Sequence, residues 1–124
     1  MTRDGNHFLR QLASCAADSF EGRFCRMSTE LHLAATLTQS ELMMLYEAGF
    51  YATLCNISFN GLGGCAGTVK PERENNRIKL ERSFMAASEA LFASPGWAAL
   101  SAATQASVRD KCLNVCVAPD CQAW

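Results

Sequence analysis

The sequence predicts an all-α fold, and composition, apolar spacing and capping residues each favour it. Alanine occurs 19 times and leucine 13 times among 124 residues, whereas valine and isoleucine together occur 6 times. Helices favour alanine and leucine, and strands favour β-branched residues. Apolar residues also recur at helical spacing over most of the chain. We therefore expect a compact bundle of about five helices, with a Gly-rich loop between helices three and four.

The N-terminal part carries three predicted helices. The first is expected over about 6–20, with Gly22 marking its end, and the second over about 23–37. Thr38-Gln39-Ser40-Glu41 reads as a capping box, which predicts a third helix from Gln39 to about Leu54. This helix is apolar on nearly every side. We therefore expect it to be central to the core or to present an apolar face to a partner.

The C-terminal part carries a predicted helical hairpin. A fourth helix is expected over about 76–93. Ser94 and Pro95 fit the N-cap and first position of a fifth helix that runs to about Val117, with Trp97 and Leu100 in the core. The expected organisation is a single helical domain, 1–124, made of N-terminal helices (1–55), a loop (56–75) and a C-terminal helical hairpin (76–124).

Composition and charge exclude several classes of function. The chain has 11 Lys and Arg against 12 Asp and Glu, a formal net charge of −1. Because proteins held by phosphate contacts need a surplus of basic residues, a nucleic-acid partner is not favoured. No apolar run reaches the length of a membrane span. The N-terminus shows no basic and apolar leader, so we expect a cytoplasmic protein.

The seven cysteines suggest a metal site only weakly. Cys112, Cys116 and Cys121 form the densest group, and Cys112 and Cys116 are expected one turn apart on a helix. A fourth ligand would complete a tetrahedral zinc site. The candidates for that ligand are Cys15, Cys25, His7 and His32. Because the usual C-x2-C spacing is missing, the sequence favours plain packing or a local disulfide, and no cofactor.

An exported protein is one alternative. The pairs Cys15/Cys25 and Cys55/Cys65 have the same spacing, which is compatible with disulfides in an oxidising compartment. An exported, disulfide-bonded immunity-type protein would fit that pattern.

A DNA-binding regulator is the other alternative. The segment 37–59 resembles a helix-turn-helix, because Thr38–Leu42 opens a helix and Gly49 stands where the turn glycine would be. The resemblance implies a regulator, with zinc at the C-terminal cysteines as added support. Cys55 and Ser58 depart from the branched apolar residues that such motifs need. Few basic residues follow that could reach phosphates.

Protein binding is the function that the sequence favours. No constellation supplies a nucleophile, a base and oxyanion donors together, so we do not expect an enzyme. The third helix has more methionine and aromatic residues than one core face needs, and a motif-free loop follows it. The candidate partner-binding residues are Met43, Met44, Tyr51, Gly61, Leu62, Gly63 and Gly64.

The size of the chain and its lack of motifs are typical of small accessory factors. We expect an inhibitor or adaptor that masks a partner protein. Analogous proteins are phage or mobile-element inhibitors, such as anti-CRISPR proteins, and immunity-type proteins. The analogy concerns the type of protein, because no residue motif is shared with them.

Overall fold

Every regular element in the ranges 5–59 and 71–115, which the computed structural model describes, is a helix. A short 3-10 helix, Leu33–Ala35, lies between the second and third α-helices. The predicted all-α bundle is confirmed. The α-helices of the described ranges are α1 (Gly5–Leu12), α2 (Phe20–Glu30), α3 (Gln39–Phe59), α4 (Pro71–Phe92), α5 (Pro95–Ala99) and α6 (Ala102–Lys111).

A single apolar cluster holds these helices together. Each described helix contributes at least one buried side chain to it, from Leu9 on α1 to Val108 on α6. The most extensive helix pair is α3 against α4. Trp97 and Leu100 are buried, as predicted. The remaining members of the cluster are Phe24, Met27, Leu33, Leu37, Leu42, Leu45, Ala48, Ala87, Leu91 and Leu113.

The first two helices are shorter than predicted. α1 ends at Leu12, and the Ser19 hydroxyl caps α2 by accepting a hydrogen bond from the N–H of Gly22 at 3.1 Å. Gly22 therefore lies in the first turn of α2 and does not end the first helix. A Cβ at this position would overlap the carbonyl oxygen of Ala16. His32, with a left-handed φ of 53°, follows α2 and separates it from the short 3-10 helix.

The predicted fifth helix is divided into two. The Ser94 cap is confirmed, since its hydroxyl accepts a hydrogen bond from the N–H of Trp97 at 3.3 Å and Pro95 follows it. Leu100 has extended backbone angles, and Ser101 then caps α6 through the N–H of Thr104 at 3.1 Å. The second cap starts a separate helix after this break.

The predicted loop at 56–75 is too long at both ends. α3 continues to Phe59, and α4 begins at Pro71. Proline suits the first turn of a helix because no intrahelical hydrogen bond is lost there. The Gly-rich stretch lies in 60–70, outside the described residues.

Glu41 connects the starts of α3 and α5. Its Oε1 accepts a hydrogen bond from the N–H of Thr38 at 2.9 Å, and Thr38 Oγ1 accepts one from the N–H of Glu41 at 3.1 Å, which confirms the capping box. Its Oε2 accepts the N–H of Gly96 at 2.8 Å. One buried carboxylate therefore satisfies backbone donors in two helices. A Cβ at position 96 would overlap that carboxylate.

None of the helices in the described ranges combines the length and the apolar composition needed to cross a bilayer.

Candidate functional site

Helix α3 is apolar on two faces. One face supplies core residues that are fully buried, among them Leu42, Leu45 and Ala48. The other face keeps large apolar side chains in contact with solvent, with Met43 49% exposed and Phe50 40% exposed. A helix whose second face only touched water would carry polar residues there. This second face is therefore a candidate binding surface.

The second face of α3 forms a groove with α1. The groove has a volume of about 620 Å³. Phe8 and Leu12, which are one turn apart on α1, form one wall. The residues from α3 are Ser40, Met43, Met44, Tyr46, Glu47, Phe50 and Tyr51.

An aromatic cluster centred on Tyr46 joins the walls of the groove to α2. The Tyr46 ring lies edge-to-face against three phenylalanine rings, with centroid distances of 5.7 Å to Phe8, 5.0 Å to Phe20 and 5.3 Å to Phe24. Such pairs contribute stability beyond the apolar area that they bury. Because the three partners come from α1 and α2, the cluster fixes both helices against α3.

One carboxylate lines the groove, and a second, on α2, accepts a hydrogen bond from a lining residue. The Tyr46 hydroxyl donates a hydrogen bond to Glu21 Oε2 at 3.3 Å. Burial, and then the negative charge of Glu21, raise the pKa of Tyr46 above its usual value. Glu47 is exposed and is the one charged side chain among the described residues that line the groove.

The structure brings together three of the seven predicted partner-binding residues. Met43, Met44 and Tyr51 all line the groove. Gly61, Leu62, Gly63 and Gly64 lie outside the described residues.

Sequence reasoning missed the contribution of α1. Phe8 and Leu12 have the spacing of an ordinary core stripe, and nothing in the sequence links them to α3. It also missed Ser40 and Glu47, because isolated polar residues on an apolar helix look like solvent contacts. Only the packing of α1 on α3 reveals that these four residues share one surface.

The predicted arrangement of the C-terminal cysteines is wrong in one respect. α6 ends at Lys111, and Cys112 is its C-cap, with its N–H bonded to the carbonyl of Val108 at 2.8 Å. Residues 112–115 are not helical, so the predicted helix does not continue past Cys112 within the described residues. Cys116 and Cys121 lie outside the described residues.

The four candidate fourth ligands do not gather around Cys112. His7 and His32 are exposed, whereas Cys15 and Cys25 are half-buried free thiols. Within 5–59 and 71–115, no group of three or more His, Cys, Asp or Glu side chains is placed to hold a metal ion.

Cys112 borders a second, smaller cavity of about 100 Å³. Burial raises the pKa of the Cys112 thiol to about 12. The thiol therefore remains protonated at neutral pH, whereas a nucleophilic cysteine needs a lowered pKa. The other lining residues are Phe20, Arg23, Phe24, Met27, Thr53 and Lys111.

The helix-turn-helix resemblance fails at Gly49. α3 is continuous from Gln39 to Phe59, so the turn that the resemblance requires is replaced by helix. Gly49 has a different role: a Cβ there would overlap the Cys112 sulfur and lie 3.3 Å from Phe20 Cζ. Glycine allows these two neighbours to approach the helix backbone.

A second apolar patch lies on α4, beside Arg109 of α6. Met85 is 57% exposed. The guanidinium of Arg109 lies over two rings, 5.1 Å from the centroid of Phe92 and 5.2 Å from that of Trp97. The stacked arginine covers part of the apolar surface of this patch.

Comparison with known proteins found no family model, no curated protein and no solved structure that matches this chain significantly.

Proposed function

We propose that this chain is a non-enzymatic protein-binding module and that the groove between α1 and α3 is its binding site. The observation that carries the proposal is the second apolar face of α3, which stays partly exposed and forms a groove with Phe8 and Leu12. Burial of such a surface against a partner would remove apolar area from water, the main driving force of protein association.

The character of the lining favours a protein over a small molecule. Pockets for small molecules bury most of their ligand, whereas Met43 and Phe50 in this groove remain 49% and 40% exposed. Methionine side chains adapt to varied partner surfaces, and tyrosine is enriched at interfaces. The aromatic cluster around Tyr46 holds the groove in one shape, which lowers the entropy cost of binding.

The same lining supports binding without catalysis. Its described residues comprise one carboxylate, Glu47, and no histidine, cysteine or lysine. A serine nucleophile is activated by an adjacent base such as histidine, and the described lining supplies no histidine for Ser40. The chain would act by covering an apolar segment of its partner, as an inhibitor or an adaptor does.

Substitution of Met43 by aspartate tests this proposal. A tagged chain would first recover its partner from a lysate of the organism that encodes it, and the affinity of the purified pair would then be measured by calorimetry. We expect Met43→Asp to weaken binding at least about tenfold, because a carboxylate would be desolvated against apolar partner atoms without a counter-charge.

Met85→Asp is the matched control. It places the same charge on a similarly exposed methionine of α4, 57% exposed against 49% for Met43, which does not line the groove. We expect its affinity to equal that of the unmodified chain. Thermal melts would establish that both variants fold. Equal affinities for the two variants would contradict the proposal.

A further inference from the structure

The dimensions of the groove favour a helical occupant. Its α3 residues extend from Ser40 to Tyr51, which corresponds to about 16 Å along the helix axis, or three turns. A partner helix of similar length would place apolar side chains against it at i, i+4 and i+7.

The walls of the groove also disfavour an extended occupant. Both walls are α-helices, whose backbone hydrogen bonds run along the helix axis and not towards a neighbouring segment. They offer no free strand edge on which an extended segment could form main-chain hydrogen bonds. A helix brings its own backbone hydrogen bonds and needs only side-chain contacts.

Glu47 determines which helix fits best. It stands one turn from Met43 and one turn from Tyr51, and it has no ion pair within the described residues. A docked helix would remove water from this carboxylate, and an unpaired charge in apolar surroundings is costly. Glu21 of α2, which accepts the hydrogen bond of the Tyr46 hydroxyl, adds negative potential beside a residue of the groove lining. A basic side chain on the partner would offset both effects.

We propose that the groove binds an amphipathic helix of a partner protein and that a lysine or arginine of this helix pairs with Glu47. The proposal rests on the protein-binding function proposed above and adds the secondary structure and the charge of the bound segment. Glu47 acts as a specificity residue, and the apolar lining supplies most of the affinity.

Selection from a displayed peptide library tests the charge preference. The probe is a library of helical peptides about four turns long, with leucine, phenylalanine or methionine fixed along one face. The positions that flank this face are randomised among Lys, Arg, Asp, Glu, Gln and Ser. For the unmodified chain we expect about tenfold enrichment of Lys and Arg over Asp and Glu at one flanking position.

Reversal of the groove charge should reverse the selection. We expect Glu47→Lys to enrich Asp and Glu at that same position. Glu89→Lys is the control, because Glu89 is an exposed carboxylate on α4 that does not line the groove. It should select the same peptides as the unmodified chain.

The outcomes separate this inference from the proposed function. If Glu47→Lys selects the same basic peptides as the unmodified chain, the inference is overturned. It is also overturned if Met43→Asp abolishes the binding of none of the selected helical peptides. The proposed function would still be judged by the affinity of Met43→Asp for its natural partner. A dimer of the free chain that Met43→Asp converts to a monomer would show a second copy in the groove and would also overturn the inference.

Discussion

At the scale of single residues, Cys112 shows how the fold determines the chemistry of a side chain. A free thiol has a pKa of about 8.5. Burial raises that of Cys112 to about 12, and its sulfur lies against Gly49. The residue therefore serves the fold as a small apolar group and not as a nucleophile.

This burial makes stability depend on alkaline pH. Above about pH 8.5 the unfolded chain releases the Cys112 proton, whereas the folded chain retains it. Because the unfolded state then binds fewer protons than the folded state, the free energy of unfolding falls as the pH rises towards about 12. Between pH 7 and pH 10 we expect the free energy of unfolding to fall by about 2 kcal/mol more in the unmodified chain than in Cys112→Ala. Urea unfolding at both pH values, with a reducing agent present, measures this difference. Equal pH dependence in the two proteins would contradict the assignment.

Single residues also show where prediction from sequence stops. Gly22 was predicted to end a helix, because local rules give glycine that role. Gly49 was predicted to lie inside the third helix, and only the helix-turn-helix resemblance assigned a turn to it. In the structure each lies inside a helix, at a point where a Cβ would overlap a neighbour from elsewhere in the chain: Ala16 for Gly22 and Cys112 for Gly49. A tertiary neighbour leaves no trace in the local sequence.

At the scale of elements, Glu41 links the starts of two helices. Its carboxylate accepts hydrogen bonds from the N–H groups of Thr38 and Gly96. The Thr38 bond follows from the T-x-x-E pattern and was predictable. The Gly96 bond was not, because it joins residues 55 positions apart.

Glu41→Gln tests this double cap. The amide nitrogen of glutamine cannot accept a hydrogen bond, so one buried backbone N–H would lose its partner, and we expect a loss of about 2 kcal/mol in the free energy of unfolding. Thr38→Ala is the control, since it removes only the local α3 cap and should cost about 1 kcal/mol. Chemical denaturation measures both. A larger loss for Thr38→Ala than for Glu41→Gln would contradict the role assigned to Glu41.

Helix starts were predicted better than helix ends. The side chains of Thr38 and Ser94 cap the helices that begin directly after them. The sequence signal for these helix starts is therefore local. The ends of α1 and α2, and the break at Leu100, depend on how the chain turns to pack its next helix. The periodicity of apolar residues continues across such a break and does not reveal it.

At the scale of the whole molecule, the fold class followed from composition, but the groove did not. Met43, Met44 and Tyr51 were predicted as a binding face because α3 has more apolar residues than one core face can bury. Phe8 and Leu12 complete that surface only because α1 packs on α3 more than 25 positions away along the chain. The complete site is a property of the packed bundle.

Methionine footprinting of the free and the partner-bound chain tests the protein-binding groove most directly. Met43 is 49% exposed and Met85 is 57% exposed, so hydrogen peroxide should oxidise both at similar rates in the free chain. With the partner bound, we predict that oxidation of Met43 slows several-fold while that of Met85 is unchanged. Protection of Met85 with continued oxidation of Met43 would place the partner on the other face of the bundle and contradict the account.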